Sequence, residues 1–427
     1  MRAPLVDEEA VSTADLAAPV AAAAPSDGSW AALARAVFAA LLKHGTLTRA
    51  AIAELTGLSR VTASGLVDQL IRRGFVVQAE DVPAAGGGPN ARAYALAPDS
   101  AYAVGVAIND YAIAVMTTSL SGAVVSRHEE PIVDIDEVVP AVEKAIRAEL
   151  AKLNAAVSKL RYVVLGASGV VEPTGHALAY AVNRPSWKTT LAARLRPTLP
   201  CPIVFENDVN LAALAEAHVG AGAGLGDKLD MALVWLDEGI ACGVIVGGRL
   251  YRGAAGWAGE IAFFPSSVEG GADNEPASRD MTTTTLQRAI GIRGVTALAK
   301  SHGTDAESLL RFVNAGHDAG RARAELARRI ALAVAGPAFV FDPELIVLAG
   351  CVATRGGEAL LEAVRAELAA IGPTPTKLAL TTIESDAILT GSMLVALSHA
   401  RDALFDDDPG NDAHNQAHSQ ARRGGPA

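Results

Sequence analysis

Two short helical patterns with almost nothing between them are the tightest constraint in this chain. In Leu47-Thr48-Arg49-Ala50-Ala51-Ile52-Ala53-Glu54-Leu55-Thr56-Gly57-Leu58-Ser59-Arg60-Val61-Thr62-Ala63-Ser64, Thr48 is placed to cap one helix, with Ile52 and Leu55 as its apolar face. Gly57 suits the left-handed residue that ends it. Ser59 then caps a second helix, which turns Leu66, Val67, Leu70 and Ile71 inward. Helices joined by so short a link must cross steeply, and that is helix-turn-helix geometry. Phe75-Val76-Val77, a Gly-rich tip at Gly86-Gly87-Gly88-Pro89-Asn90 and a return strand Arg92-Ala93-Tyr94-Ala95-Leu96 predict a wing.

Such a module is expected to bind double-stranded DNA. Arg60, Thr62, Ala63 and Ser64, near the start of the second helix, are small or hydrogen-bonding and are expected to face base edges in the major groove. Ser59 at its N-terminus, Thr48 and Arg49 at the start of the first helix, and Arg92 on the wing complete the candidate contacts. Residues 30–96 carry seven bases against four acids, a local +3 in a chain whose net charge is -11. That balance suits two copies acting together on phosphates and argues against a protein that coats nucleic acid over its whole surface. A small helical bundle used for protein contact is the plainer alternative.

A chain of 427 residues exceeds one ordinary core. Half its residues are hydrophobic but only 4% are aromatic, so the interior must be built from Ala, Val and Leu. Cys201, Cys242 and Cys351 are too few and too far apart for a disulfide scaffold or a zinc site and fit a reducing compartment. No apolar run reaches the roughly 20 residues that cross a bilayer, and the Ala-rich start does not read as a signal peptide. A cytoplasmic protein without metal, cofactor or membrane partner is expected. Strand-like runs at 103–108, 113–117, 162–165, 203–205, 231–235, 242–246 and 345–348 alternate with Ala-rich helices, which predicts an α/β body. The expected division is a flexible arm (1–29), a winged helix-turn-helix (30–98), the α/β body (99–405) and a flexible tail (406–427).

The body contains Glu206-Asn207-Asp208-Val209-Asn210 and the run Gly247-Gly248-Arg249-Leu250-Tyr251-Arg252-Gly253-Ala254-Ala255-Gly256-Trp257-Ala258-Gly259-Glu260-Ile261. Gly169-Val170-Val171-Glu172-Pro173-Thr174-Gly175, Asn183-Arg184-Pro185-Ser186-Trp187 and Ile346-Val347-Leu348-Ala349-Gly350-Cys351-Val352 accompany them. On these residues the body resembles the ROK family (repressors, open reading frames and kinases), in particular its transcriptional regulators. The resemblance implies a two-lobed, actin-like ATPase fold of the ribonuclease H-like kind, with a sugar site between the lobes. It also implies that Asp208 matches the kinase general base and that Asn183, Asn207 and Glu260 match residues that bond sugar hydroxyls. The same residues also read as helix caps and turn formers, and Trp187 and Trp257 as core or pocket wall.

The departures from the kinase pattern are as informative. Where the family's kinases open their first hairpin with Asp-x-Gly-Gly-Thr, this chain has Ala107-Ile108-Asn109-Asp110-Tyr111, and a methyl group cannot hold magnesium. The second phosphate loop, Gly-Thr-Gly-x-Gly in kinases, reads Asp237-Glu238-Gly239-Ile240-Ala241, and two carboxylates repel a triphosphate. Phe263 stands where zinc-bearing relatives have a histidine, and no cysteine follows until Cys351. The wing carries Gly88 where regulators often have the Arg of Gly-Arg-Pro, which leaves Arg92 as the wing's basic contact.

No catalytic residue is therefore assigned. The expected function is a DNA-binding transcriptional regulator, a repressor of carbohydrate-related genes. It acts as a homodimer or dimer of dimers and is controlled by a small sugar-like effector in a degenerate kinase cleft. An ATP-dependent carbohydrate kinase with a regulatory DNA-binding arm, and an effector-independent regulator with a relic cleft, are the alternatives.

Overall fold

The computed structural model describes residues 29–83, 90–109, 112–132, 138–180, 195–199, 201–264, 285–311, 317–383 and 385–405. The predicted arm and tail, the wing tip, Asp110, Tyr111, Asn183 and Trp187 lie outside the described residues.

The first unit follows its punctuation closely. Helix α1 (Trp30–His44) starts where Ser29 Oγ accepts from Ala32 N at 3.3 Å and stops at Gly45, φ +71°. A two-residue strand β1 (Leu47–Thr48) leads into α2 (Arg49–Thr56), where Thr48 Oγ1 accepts from Ala51 N and Gly57 closes the helix at φ +69°. Helix α3 (Arg60–Arg72) begins with Ser59 Oγ accepting from Thr62 N at 3.1 Å. Each such cap contributes about 1 kcal/mol. Strands β2 (Val76–Gln78) and β3 (Ala93–Leu96) pair antiparallel, with Val76 opposite Leu96, and β1 joins on the far edge of β3. Ile52 is buried as expected, whereas Leu55, assigned to the same face, is 50% exposed. In an eight-residue helix the buried stripe has room for Ile52 and Ala53 only.

The first lobe comprises β4 (Tyr102–Ile108), β5 (Ala112–Ser119), β6 (Val124–Pro131), α4 (Val138–Lys152), β7 (Leu160–Ala167), a small ribbon of β8 (Val170–Val171) and β9 (Leu178–Tyr180), β10 (Ile203–Asn207) and α5 (Asp208–Val219). Its sheet runs β10-β7-β4-β5-β6, with β10, β7 and β4 parallel and the β4-β5-β6 pairings antiparallel. The second lobe comprises β11 (Met231–Leu236), β12 (Ile240–Val246), β13 (Arg249–Leu250), α6 (Thr285–Ile290), α7 (Ile292–Ser301), α8 (Ala306–Leu310), α9 (His317–Phe341), β14 (Leu345–Ala349), α10 (Cys351–Ile371), β15 (Lys377–Leu380) and α11 (Ala387–Ala403). Its sheet runs β13-β12-β11-β14-β15. Read from the antiparallel edge, both sheets have the order 3-2-1-4-5, so the body is the same sheet built twice. All seven strand runs expected from the sequence are present. Edge strand β6 has no strong apolar run, because it alternates half-buried and exposed side chains, and β8, β9, β13 and β15 are too short to give one.

Although its last residues follow the second lobe's sheet in sequence, α11 packs on the first. A Cβ on Gly105 of β4 would lie 2.5 Å from Met393 N, and one on Gly391 would overlap Leu211 O of α5. These contacts are backbone against backbone. One apolar cluster therefore runs from Val37, Phe38 and Leu70 of the first unit through Leu404, just beyond α11, and Leu397 and Met393 of α11 to Val164 and Leu211, across the boundary expected at residues 98 and 99. Among the described residues no helix is long and apolar enough to cross a membrane.

Candidate functional site

The helix-turn-helix presents fewer side chains than its sequence implies. Ala63 is 0% exposed and packs among Val37, Leu66 and Val67; it leaves the expected base-reading set because it lies on the inner stripe of α3. Arg49 turns inward as well. Its guanidinium donates to Tyr94 Oη at 3.1 Å, to Asp68 and to Ser64 Oγ, and lies 5.0 Å from the Tyr94 ring centre. The Asp68 hydrogen bond holds the Arg49 pKa above its ordinary value. Arg49 and Ser64 thus clamp α2, α3 and β3 to one another. Thr48 caps α2, and Ser59 shares a 2.8 Å hydrogen bond with the Thr62 hydroxyl. Arg60 and Arg92 are exposed. So is Val61, a residue no local pattern marks as a contact: 84% of its surface faces outward.

In the body, the polar residues expected around a sugar converge on the start of α5. Asn207 is its cap: Oδ1 accepts from Asn210 N at 3.0 Å while Nδ2 donates to Gly169 O at 2.9 Å. Both ends of the amide are thus committed inside the protein. Asp208 accepts from Ser168 Oγ, and its Oδ1 accepts from Val209 N. Enclosure by protein pushes the Asp208 pKa up, opposed by the Ser168 hydroxyl. Glu260 is pushed up to about 7, first by burial and then by the charge of Asp208. Near neutral pH the two carboxyls therefore offer both a donor and acceptors, which suits a ligand bearing hydroxyl groups. Asn183 falls outside the described residues.

Two residues hold this arrangement that sequence matching alone did not single out. Glu206 is 3% exposed; its Oε1 accepts from Asn207 N and Asn210 Nδ2, each at 2.9 Å. Its Oε2 accepts from Arg252 of the second lobe, with Nε and Nη2 both at 2.6 Å. The pair ties the end of β10 to the loop that brings in Glu260. Gly259, at φ +91°, makes that approach feasible, since any Cβ there would overlap Cys242 O. Trp257 and Phe263 stand beside this loop with ring centres 5.8 Å apart, and Tyr180 is 5.9 Å from Trp257 on the other side. Trp257 is thus an exposed wall.

The segments that the resemblance sets against a kinase's nucleotide, around Ala107 and Asp237, are engaged within the chain. Ala107 is paired within β4, opposite Ala114, and Asn109 is occupied in closing the β4-β5 turn, accepting from Ala112 N at 2.7 Å. Asp237 Oδ2 accepts from Cys351 N at 3.1 Å, so a carboxylate of the chain sits at the N-terminus of α10. Gln287 holds the same loop, accepting from Ile240 N at 2.9 Å and donating to Glu238 O. The chain's own carboxylate thus takes the place at that helix end which favours an anion. Among the described residues no three His, Cys, Asp or Glu side chains are grouped to hold a metal ion.

Comparison with known proteins agrees with both halves of the structure. The ROK family model matches residues 103–385, and a MarR family model matches residues 33–85. A putative xylose repressor of Caldicellulosiruptor sp. (strain Rt8B.4) is 23% identical over 351 residues, covering 76% of this chain and 84% of that protein. A glucokinase of Halalkalibacterium halodurans is 29% identical over 283 residues, covering 61% and 83%. Among solved structures, a ROK family transcriptional regulator described as a homolog of the E. coli MLC protein superposes with a TM-score of 0.69 at 15% identity. That match spans 88% of this chain and 98% of the regulator.

Proposed function

Because the chain belongs to the ROK family, we propose that it is a DNA-binding transcriptional regulator, a repressor, whose kinase-like lobes bind a small carbohydrate effector and transfer no phosphate. It works in the cytoplasm as a homodimer or dimer of dimers, which places two +3 modules on one near-palindromic operator. Arg60, Arg92, Thr48 and Ser59 contact the duplex, with Arg49 and Ser64 holding the module in shape. Asp208 and Glu260 bond the effector's hydroxyls, joined by Asn183. The naming of full-length relatives as xylose repressors supports a sugar-responsive reading.

The observation that carries this reading is the joint made by α11. At one end, Phe405 just beyond the helix meets Trp30 and Phe38, with ring centres 6.3 and 5.8 Å apart. Arg35 pairs with Asp402, and Arg73 Nη1 donates to Leu404 O at 3.0 Å. Further along, Gly391 lies directly against Leu211 of α5, the helix that begins at Asp208. A movement of α5 on ligand binding cannot be absorbed between two touching backbones, so it passes to the DNA module. The switch operates when the ligand binds one arrangement more tightly than the other.

The test is retention of genomic fragments by the purified full chain, followed by challenge with a panel of pentoses, hexoses and amino sugars. Salt-sensitive binding of a few fragments, with one sugar class changing affinity, is expected; no retained fragment would sink the reading. Asp208 and the glucokinase relative favour one alternative, a carbohydrate kinase. ATP-dependent turnover in a coupled assay over the same sugars would establish it.

A further inference from the structure

Resting on the DNA-binding reading above, we propose that Val61 determines sequence specificity by packing on the C5-methyl group of a thymine in the major groove.

The outer face of α3 is defined by subtraction. Ala63, Leu66 and Val67 are buried, Ser64 is engaged by Arg49, and the Thr62 hydroxyl is engaged by Ser59. Exposed on the first two turns are Arg60, Val61 and Gly65. Val61 is 84% exposed, more than any other large apolar side chain among the described residues. A single exposed aliphatic residue means little by itself. What separates Val61 is its place as the second residue of a recognition helix, where side chains reach base edges.

Its neighbour one turn on strengthens the point. Gly65 lies at i+4 from Val61 and so on the same face. No atom stands within 4 Å of where a Cβ on Gly65 would be. Packing inside the protein therefore does not require glycine there, and glycine weakens a helix interior. The result is an isopropyl knob beside a flat strip of bare backbone, a shape that can sit close to the floor of a groove. Arg60, adjacent and exposed, supplies charge for the phosphates.

The chemistry of the knob selects the target. An isopropyl group can neither donate nor accept a hydrogen bond, so it cannot read N7, O6, N6, N4 or O4. The thymine methyl is the apolar feature that a base pair shows in the major groove. A valine in this position therefore distinguishes thymine from the other three bases and ignores the rest of the code.

The test begins with selection of duplexes from a random-sequence library by the full-length protein. Each thymine of the preferred duplex is then replaced in turn by deoxyuridine, which lacks only the methyl group, and binding is followed by fluorescence anisotropy. In the wild type, deoxyuridine at one position per half-site should weaken binding about fourfold, the equivalent of one buried methyl. Val61→Ala should bind the thymine duplex more weakly and lose all sensitivity at that position. Val61→Thr, which keeps one methyl, should fall between. Unchanged thermal unfolding of both variants would show that the module remains folded. If Val61→Ala keeps the wild-type methyl sensitivity, or no thymine is sensitive in the wild type, the proposal is overturned and the exposed valine belongs to a protein contact. If no sequence is selected at all, the DNA-binding reading itself falls, and Val61 as a base reader falls with it.

Discussion

The starts of α5 and α10 each follow a parallel strand, the fifth of one sheet and the fourth of the other, yet their nearest carboxylates are used in opposite ways. At α5, Asp208 keeps its carboxyl beside a serine hydroxyl, and its charge adds to the burial that pushes the Glu260 pKa up to about 7. At α10, Asp237 turns its carboxyl onto the backbone N–H of Cys351 and closes the helix end from within. One end still offers groups to a visitor, whereas the other has satisfied itself. A helix N-terminus is therefore only a potential anion site, and the side chain nearest to it decides whether it stays available.

The largest expected effect comes from breaking what holds the α5 side open. Arg252→Ala leaves Glu206 buried without its cation and should cost on the order of 3 kcal/mol, near the lower limit for splitting a buried pair because Arg252 is partly solvated. Denaturant unfolding measures it, and loss of effector binding should accompany it. A fall below about 0.5 kcal/mol, in the range of surface pairs, would mean that the cross-lobe pair does not organise the site.

The next effect is set by Glu260. Its pKa is raised from the ordinary 4.5 to about 7, with burial the larger cause and Asp208 the smaller. The folded state thus holds this proton more tightly than the unfolded chain does. The group has no effect on stability below about pH 4.5, destabilises progressively as pH rises to about 7, and adds a constant penalty above that. Glu260→Gln should therefore raise the unfolding midpoint at pH 8 by more than at pH 4.5. The stabilisation should be on the order of 2 kcal/mol after allowance for its partial exposure. A pH-independent difference between the two proteins would contradict the raised pKa of Glu260.

The smallest effect sharpens the contrast from the closed side. Asp237→Ala removes one acceptor from the start of α10 and should lower stability by about 1 kcal/mol, as loss of a helix cap does. Glu238→Ala, at an exposed neighbour, should leave thermal unfolding unchanged. Equal effects at the two positions would show that Asp237 is not the residue that closes the helix.

These residues also show how far the sequence could be read. Thr48, Gly57 and Ser59 act within three or four positions of themselves, so their roles as caps and stop were legible directly, as were seven strands with strong apolar runs. Ala63 was misplaced because the one-letter pattern of a short helix does not say which small residue faces the core. Asn207 looked like a ligand contact, but its amide is satisfied by Gly169 and Asn210, the first of them 38 positions away. Val61 carried no sequence signal, since a valine beside a helix start is ordinarily taken for core.

The order of units, the caps and turns, and the alternation of strands and helices could all be read from the amino-acid order. All of these follow from local propensity or from the identity of single side chains. Folding alone brings Arg252 to Glu206, sets Asp237 at the start of a helix 114 residues onward, and lays α11 between the start of α5 and the DNA module. Those contacts depend on how two sheets and a helix from distant parts of the chain come to lie together. Long-range packing is a property of the whole core, and no short stretch of residues encodes it.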